Sequence, residues 1–194
     1  MKLKYSIIIS VVGFIFAGCI SEDDDVIAPK PRAYYRIEFP QKNYKMYDSV
    51  CPFKFELPVY SYIQNDKNIK AEPCWLNMQF APFNSTLHLS YKPISGNLDK
   101  YLEDTYTLAA KHQVKASGIE ERLFKNDSLK VYGLVYQIDG NAASAVQFYI
   151  TDSAKHFLRG ALYFNCVPNI DSLSPVIGYL KQDIFHLIET FEWK

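Results

Sequence analysis

Neither sign of charge is in excess in this sequence: 21 Lys and Arg stand against 21 Asp and Glu in 194 residues, a formal net charge of +0. Without a positive field there is nothing to gather a polyanion, and no basic patch appears along the chain, so nucleic acid is not an expected partner. Cysteine is sparse at 4, too few for a disulfide-dense scaffold and wrongly spaced for a zinc ribbon. Missing too are a glycine-rich phosphate loop, a nucleophile elbow, a paired-cysteine redox motif and a His-Glu-x-x-His zinc motif, which closes the common sequence routes to an enzyme. Glycine is low at 8, whereas Tyr reaches 15 and Phe 13, a usage that favours sheets with aromatic side chains packed between layers. With 48% hydrophobic residues, a chain of this length can bury a core of its own, and disorder over most of it is excluded.

The one long apolar run, Tyr5 to Phe16, follows Lys2 and Lys4 and ends at the small pair Ala17-Gly18 before Cys19. This is the order of a charged region, an apolar region and a processing site in a targeting signal, and the run is short for a permanent span. Phe16-Ala17-Gly18-Cys19 resembles the bacterial lipobox, apart from Phe16 where Leu is usual, and implies lipidation of Cys19. Residues 1–18 then form a lipoprotein signal peptide. Residues 19–33, with the run Glu22-Asp23-Asp24-Asp25, form a lipidated acidic tether held extended by repulsion between like charges. The acyl chains anchor the protein to a membrane without spanning it.

Residues 34–194 are expected to form a single α+β domain, an antiparallel sheet with two main helices. Arg36–Phe39, Phe53–Leu57, Trp75–Phe80 and Ser85–Tyr91 alternate apolar with polar residues, the period of half-buried strands. In the last of these, Leu87, Leu89 and Tyr91 share one face and His88 points to the other. From Asn97, a candidate N-cap, the period becomes helical to about Lys115. Ile119–Phe124, Leu129–Ile138, Ser144–Thr151 and His156–Asn165 are strand-length runs separated by turn clusters, which predicts an antiparallel meander. A second helix is expected from Ser174 or Pro175 to about Phe191.

No catalytic set is expected, nor a metal site or a cofactor. His88, His112, His156 and His186 are widely scattered. Asp152, Ser153 and His156 read as a turn, and Glu120-Glu121 as strand neighbours pointing to opposite faces. Cys51-Pro52 and Pro73-Cys74 each stand at the mouth of a strand, where either a disulfide or two buried thiols is compatible with the sequence. Cys166, after Leu162-Tyr163-Phe164, is expected in the core.

Long segments including Pro29–Arg32, Cys74–Asn77, His88–Lys92, Gly140–Ser144, Lys155–Phe164 and Glu189–Lys194 resemble the gliding motility lipoprotein GldD family of Bacteroidota. The resemblance implies a lipoprotein needed for gliding and for the type IX secretion machinery on which gliding depends, with other lipoproteins and envelope components of that machinery as partners. Outer-membrane attachment follows by analogy with lipoprotein sorting, the periplasmic or surface face being open. The acidic run also resembles the export signal of Bacteroidota surface lipoproteins. Asp-Ser-aliphatic triplets at Ser49, Ser128, Ser153 and Ser172 resemble the O-glycosylation motif of exported Bacteroidota proteins, and Asp-Ser pairs are equally ordinary turn formers. The order of elements resembles PsbP and Mog1 proteins, a likeness of pattern that supplies no function.

Three functions follow in order: a structural or assembly factor, a module binding a glycan, peptide or lipid, and an enzyme. Tyr and Phe side chains converging on a concave pocket would favour the second over the first. Clustering of Asp152, Ser153 and His156 in a cleft would favour the third.

Overall fold

A computed structural model describes residues 36–194 of the chain; the signal peptide, the tether and Cys19 lie outside the described residues. Among the described residues, two antiparallel sheets and two α-helices make up the fold. The smaller sheet, in the order β1-β2-β10, comprises β1 (Tyr44–Asp48), β2 (Phe53–Pro58) and the short C-terminal β10 (Glu192–Trp193). The larger runs β3 (Tyr62–Asn65), β4 (Leu76–Phe80), β5 (Ser85–Pro93), β9 (His156–Phe164), β8 (Ser144–Thr151), β7 (Val131–Gly140), β6 (Ala116–Asn126). Strands β6 to β9 are the expected meander, and β5 pairs with β9 over nine residues, joining the two halves of the chain. The α+β class with two main helices is therefore what the structure has.

Period-two alternation sends neighbouring strand residues to opposite faces, and each face of the large sheet acquires its own helix. Leu87, Leu89, Phe148, Leu158 and Leu162 share one core with Phe53 and Phe55 of β2 and with Leu180, Ile184 and Leu187 of α2 (Ile170–Glu189). Gly160 lies within it under the Phe148 ring, where an added Cβ would come within 2.2 Å of ring carbon. Leu134, Tyr136 and Ile138 of β7 alternate with the residues that enter this core and instead meet Ala109 of α1 (Leu98–Ala110), forming a second, smaller core on the other face.

Several boundaries differ from the sequence reading. Arg36–Phe39 is not a strand: Pro40 ends it without an N–H to offer a ladder, and the Phe39 ring stacks on Tyr179 of α2 with centroids 4.5 Å apart. Helix α2 begins at Ile170 rather than Ser174, because Asn169 caps it by accepting from the Asp171 N–H at 3.1 Å. Pro175 accordingly lies inside the helix. Asn97 precedes α1 without capping it, its Oδ1 accepting from the Ser95 N–H instead. Cys166 is exposed, not in the core, since the strand carrying its apolar neighbours has ended at Phe164.

Candidate functional site

The polar face of the large sheet carries the chemistry. On β5 the residues alternating with Leu87 and Leu89 are Thr86, His88, Ser90 and Lys92; on β9 those alternating with Leu158 and Leu162 are Phe157, Arg159 and Tyr163. Register sets Arg159 beside Ser90 on one side and Tyr149 on the other. Side chains on this face bond across the strands: His88 Nδ1 to Asn77 Oδ1 at 2.6 Å, Thr86 Oγ1 donating to Gln79 Oε1 at 2.7 Å, and Arg159 Nη2 donating to Gln147 Oε1 at 2.5 Å.

Helix α1 roofs part of this face. Its Tyr101 ring meets Phe157 with centroids 5.4 Å apart, Thr105 is buried, and Ala109 packs over β7. Between the helix and β5/β9 an open groove of about 430 Å³ remains, walled by Trp75, Tyr101 and Phe157 with Lys92, Lys100 and Arg159 among its lining residues. That volume is on the scale of small-molecule sites. Trp75 is fixed by its indole N–H donating to Tyr91 O at 2.9 Å, and the Lys92 ammonium lies 5.0 Å from its ring centroid while pairing with Glu72.

Arg159 is the unusual member. Among the described residues no carboxylate comes within ion-pair distance of it. Its Nε and the Gln147 Nε2 are both buried donors with no hydrogen-bond acceptor. Burial pulls the guanidinium below its ordinary pKa, with Tyr163 acting the other way. Burial also lowers His88, opposed by Asp66 and helped by the Arg159 charge, and lowers His112, again helped by Arg159. A guanidinium paired only with neutral groups, with two unpaired donors beside it, retains capacity for an acceptor of negative charge.

A profile described as gliding motility lipoprotein GldD matches residues 24–193. The chain belongs to this family. Membership makes it a lipid-anchored protein of the cell envelope associated with gliding. No curated protein matches the chain in sequence. Among solved structures the chain is similar to the solution structure of cyanobacterial PsbP (CyanoP) from Synechocystis sp. PCC 6803, at 11% identity over 86% of this chain and 100% of that one, with a TM-score of 0.47.

The remaining residues singled out in this family member fall elsewhere. Cys51 and Cys74 form a disulfide, Cα atoms 5.7 Å apart, which ties the start of β2 to the residue before Trp75. Asp152 and His156 lie in one turn, with the Asp152 Oδ1 accepting from the backbone N–H groups of Ala154, Lys155 and His156. Burial would raise this carboxyl's pKa, but the three donors hold it below the ordinary value. The His156 Nδ1 bonds to the Tyr91 hydroxyl at 2.8 Å and its ring stacks on Trp193, while the Ser153 N–H donates to Thr151 Oγ1. This is turn geometry, with no bond between Ser153 and the imidazole. His186 contacts Glu56 Oε2 at 2.6 Å beneath Tyr44, far in sequence from His88 and His112. Ser128 and Ser153 are exposed in turns, Ser49 is half-buried beside β1, and Ser172 is exposed in the first turn of α2 rather than in a loop. Among the described residues, no three His, Cys, Asp or Glu side chains gather where they could hold a metal ion.

Sequence reasoning missed Arg159, Gln147, Trp75 and Lys100 as a site. One signal was present: Arg159 is the only charged residue in the run Phe157 to Phe164, and a cation inside a strand that is otherwise buried demands a partner.

Proposed function

We propose that this family member is attached to the outer membrane and is required both for gliding and for the type IX secretion machinery on which gliding depends, acting as a non-catalytic assembly factor that binds through the groove beneath α1. Family membership supports the gliding association, and the lipobox-like Phe16-Ala17-Gly18-Cys19 supports the anchor. The observation that carries the binding reading is the half-buried Arg159, which lines a groove with aromatic walls yet has only neutral partners among the described residues. Concave convergence of Tyr101, Phe157 and Trp75 favours a module that binds a glycan, peptide or lipid group over a flat interface, so the assembly role is read as exerted through ligand recognition in the groove.

Two sets of alleles in the native bacterium test this. Arg159→Gln and Tyr101→Ala should abolish colony spreading and secretion while the protein stays at its normal level. His156→Gln and His186→Gln, away from the groove, should change motility only as far as they change abundance. A stable, abundant His156 variant without any motility would contradict the reading and favour chemistry at the Asp152 turn.

A further inference from the structure

The groove is selective as well as concave. Three of its lining residues, Lys92, Lys100 and Arg159, are cationic, against one carboxylate, Asp104, and Lys92 already has Glu72. Of the other two, neither of which has an ion-pair partner among the described residues, Lys100 is exposed and Arg159 half-buried, and the two orphaned donors, Arg159 Nε and Gln147 Nε2, belong to side chains bonded to one another. A planar guanidinium offers two parallel N–H groups to an acceptor with two oxygens, a geometry that a carboxylate meets.

The walls say what carries that carboxylate. Phe157 lies between Tyr101 and Tyr149, with centroids 5.4 Å and 5.6 Å away. The face of Trp75 is approached by Lys92. Phe157 is engaged by two rings within the protein, and Leu108 adds an aliphatic surface to the groove beside Tyr101 and Trp75. An apolar side chain fits that surface.

We propose that the groove binds a peptide segment presenting a carboxylate next to an apolar side chain, the carboxylate meeting Arg159, which Gln147 holds from behind, and the side chain lying between Tyr101 and Trp75. The proposal rests on the reading of the groove as a binding site and adds the class of ligand. Rotation of the Arg159 side chain toward an incoming acceptor is a rearrangement of the kind common at interfaces.

Isothermal titration of the full chain in detergent tests it, using acetyl-Gly-Phe with a free C-terminus, acetyl-Asp-Phe-amide and the neutral acetyl-Asn-Phe-amide, with glucuronate and inorganic phosphate as further probes. At least one acidic peptide should bind ten times or more tighter than the neutral one, and comparison of the two acids shows whether a chain end or a side chain supplies the carboxylate. Arg159→Gln should remove that tenfold preference, and Arg159→Lys should keep part of it. Equal binding of acidic and neutral peptides to the unmutated chain overturns the proposal whether or not the variants fold, as does failure of every peptide. Glucuronate or phosphate binding as tightly as the acidic peptides also overturns it. Should the peptides fail while Arg159→Gln still abolishes gliding at normal abundance, the ligand class is wrong and the groove's role in gliding stands.

Discussion

Lys42 Nζ lies 2.6 Å from Asp183 Oδ1, joining the segment before β1 to the buried side of α2. Asp183 is 2% exposed and also accepts from the hydroxyls of Tyr44 and Tyr60, whose pKa values are pushed above the ordinary phenol range by burial and by that carboxylate. Lys42 donates as well to Tyr179 O, and its ammonium lies 3.4 Å from the Tyr179 ring centroid. The cluster binds β1 and the residues before it to the helix, on the side of the large sheet away from the groove.

Removing the acceptor leaves an ammonium and two phenols without their common partner. Asp183→Ala should lower stability by about 3 kcal/mol, the scale for breaking a buried ion pair on one side. Tyr60→Phe should cost about 1 kcal/mol, as for one hydrogen bond. Urea unfolding midpoints measure both. A loss for Asp183→Ala no larger than that for Tyr60→Phe would show that the carboxylate does not organise the cluster.

The Cys51–Cys74 disulfide, at a sequence separation of 23, should stabilise the domain by about 3 kcal/mol in the chain-entropy account. Non-reducing peptide mapping should recover the linked pair, and the double variant Cys51→Ser with Cys74→Ser should unfold at lower urea. Because Cys74 adjoins Trp75, the same variant should also weaken ligand binding in the groove. Protein from the envelope with both thiols free would contradict the assignment.

Stability should fall on mild acidification. His88 and His112 are held below the ordinary histidine pKa of 6.5, in each case mainly by burial and further by Arg159. A histidine with a depressed folded pKa binds fewer protons folded than unfolded, so its contribution is fully present above about 6.5 and is lost as pH falls through that value toward the folded pKa. Arg159→Gln removes one cause at both sites, raises both folded values and should flatten the dependence. Unfolding midpoints at pH 7.5 and 5.5 compare the two chains; an unchanged slope in the variant would contradict the coupling.

How much of this the sequence discloses depends on whether a residue's role is set locally. The alternation in Phe53–Leu57, Leu76–Phe80 and Ser85–Tyr91 is legible because each strand buries one face, and the meander follows from its turn clusters. Strand β1, with Met46 half exposed at 50%, has no such pattern, and β10 is two residues that pair only because Phe191 is already buried in the core. The start of α2 misleads for a different reason: Pro175 is a favoured first residue, yet Asn169 offers a cap six residues earlier. The groove is illegible in one dimension because Trp75, Tyr101 and Arg159 come from three separate elements or their flanks, and β4 and β9 are joined only through β5.

Cys19→Ala should leave the domain folded but shift it out of the membrane fraction or stop its processing; unchanged processing and full membrane retention would contradict lipidation. Intact mass of the native protein tests the serines as well. Modified Ser49, Ser128, Ser153 or Ser172 would add mass beyond the lipidated polypeptide, and a mass equal to that polypeptide rejects glycosylation.

The most direct test of the account is site-specific photo-crosslinking in living, gliding cells from position 100, at the groove, with position 130 in the β6–β7 turn as the comparison. A discrete protein adduct is expected from position 100, absent from position 130 and lost when Arg159→Gln is added at equal abundance. The same products from both positions, or an adduct indifferent to Arg159, would contradict the account.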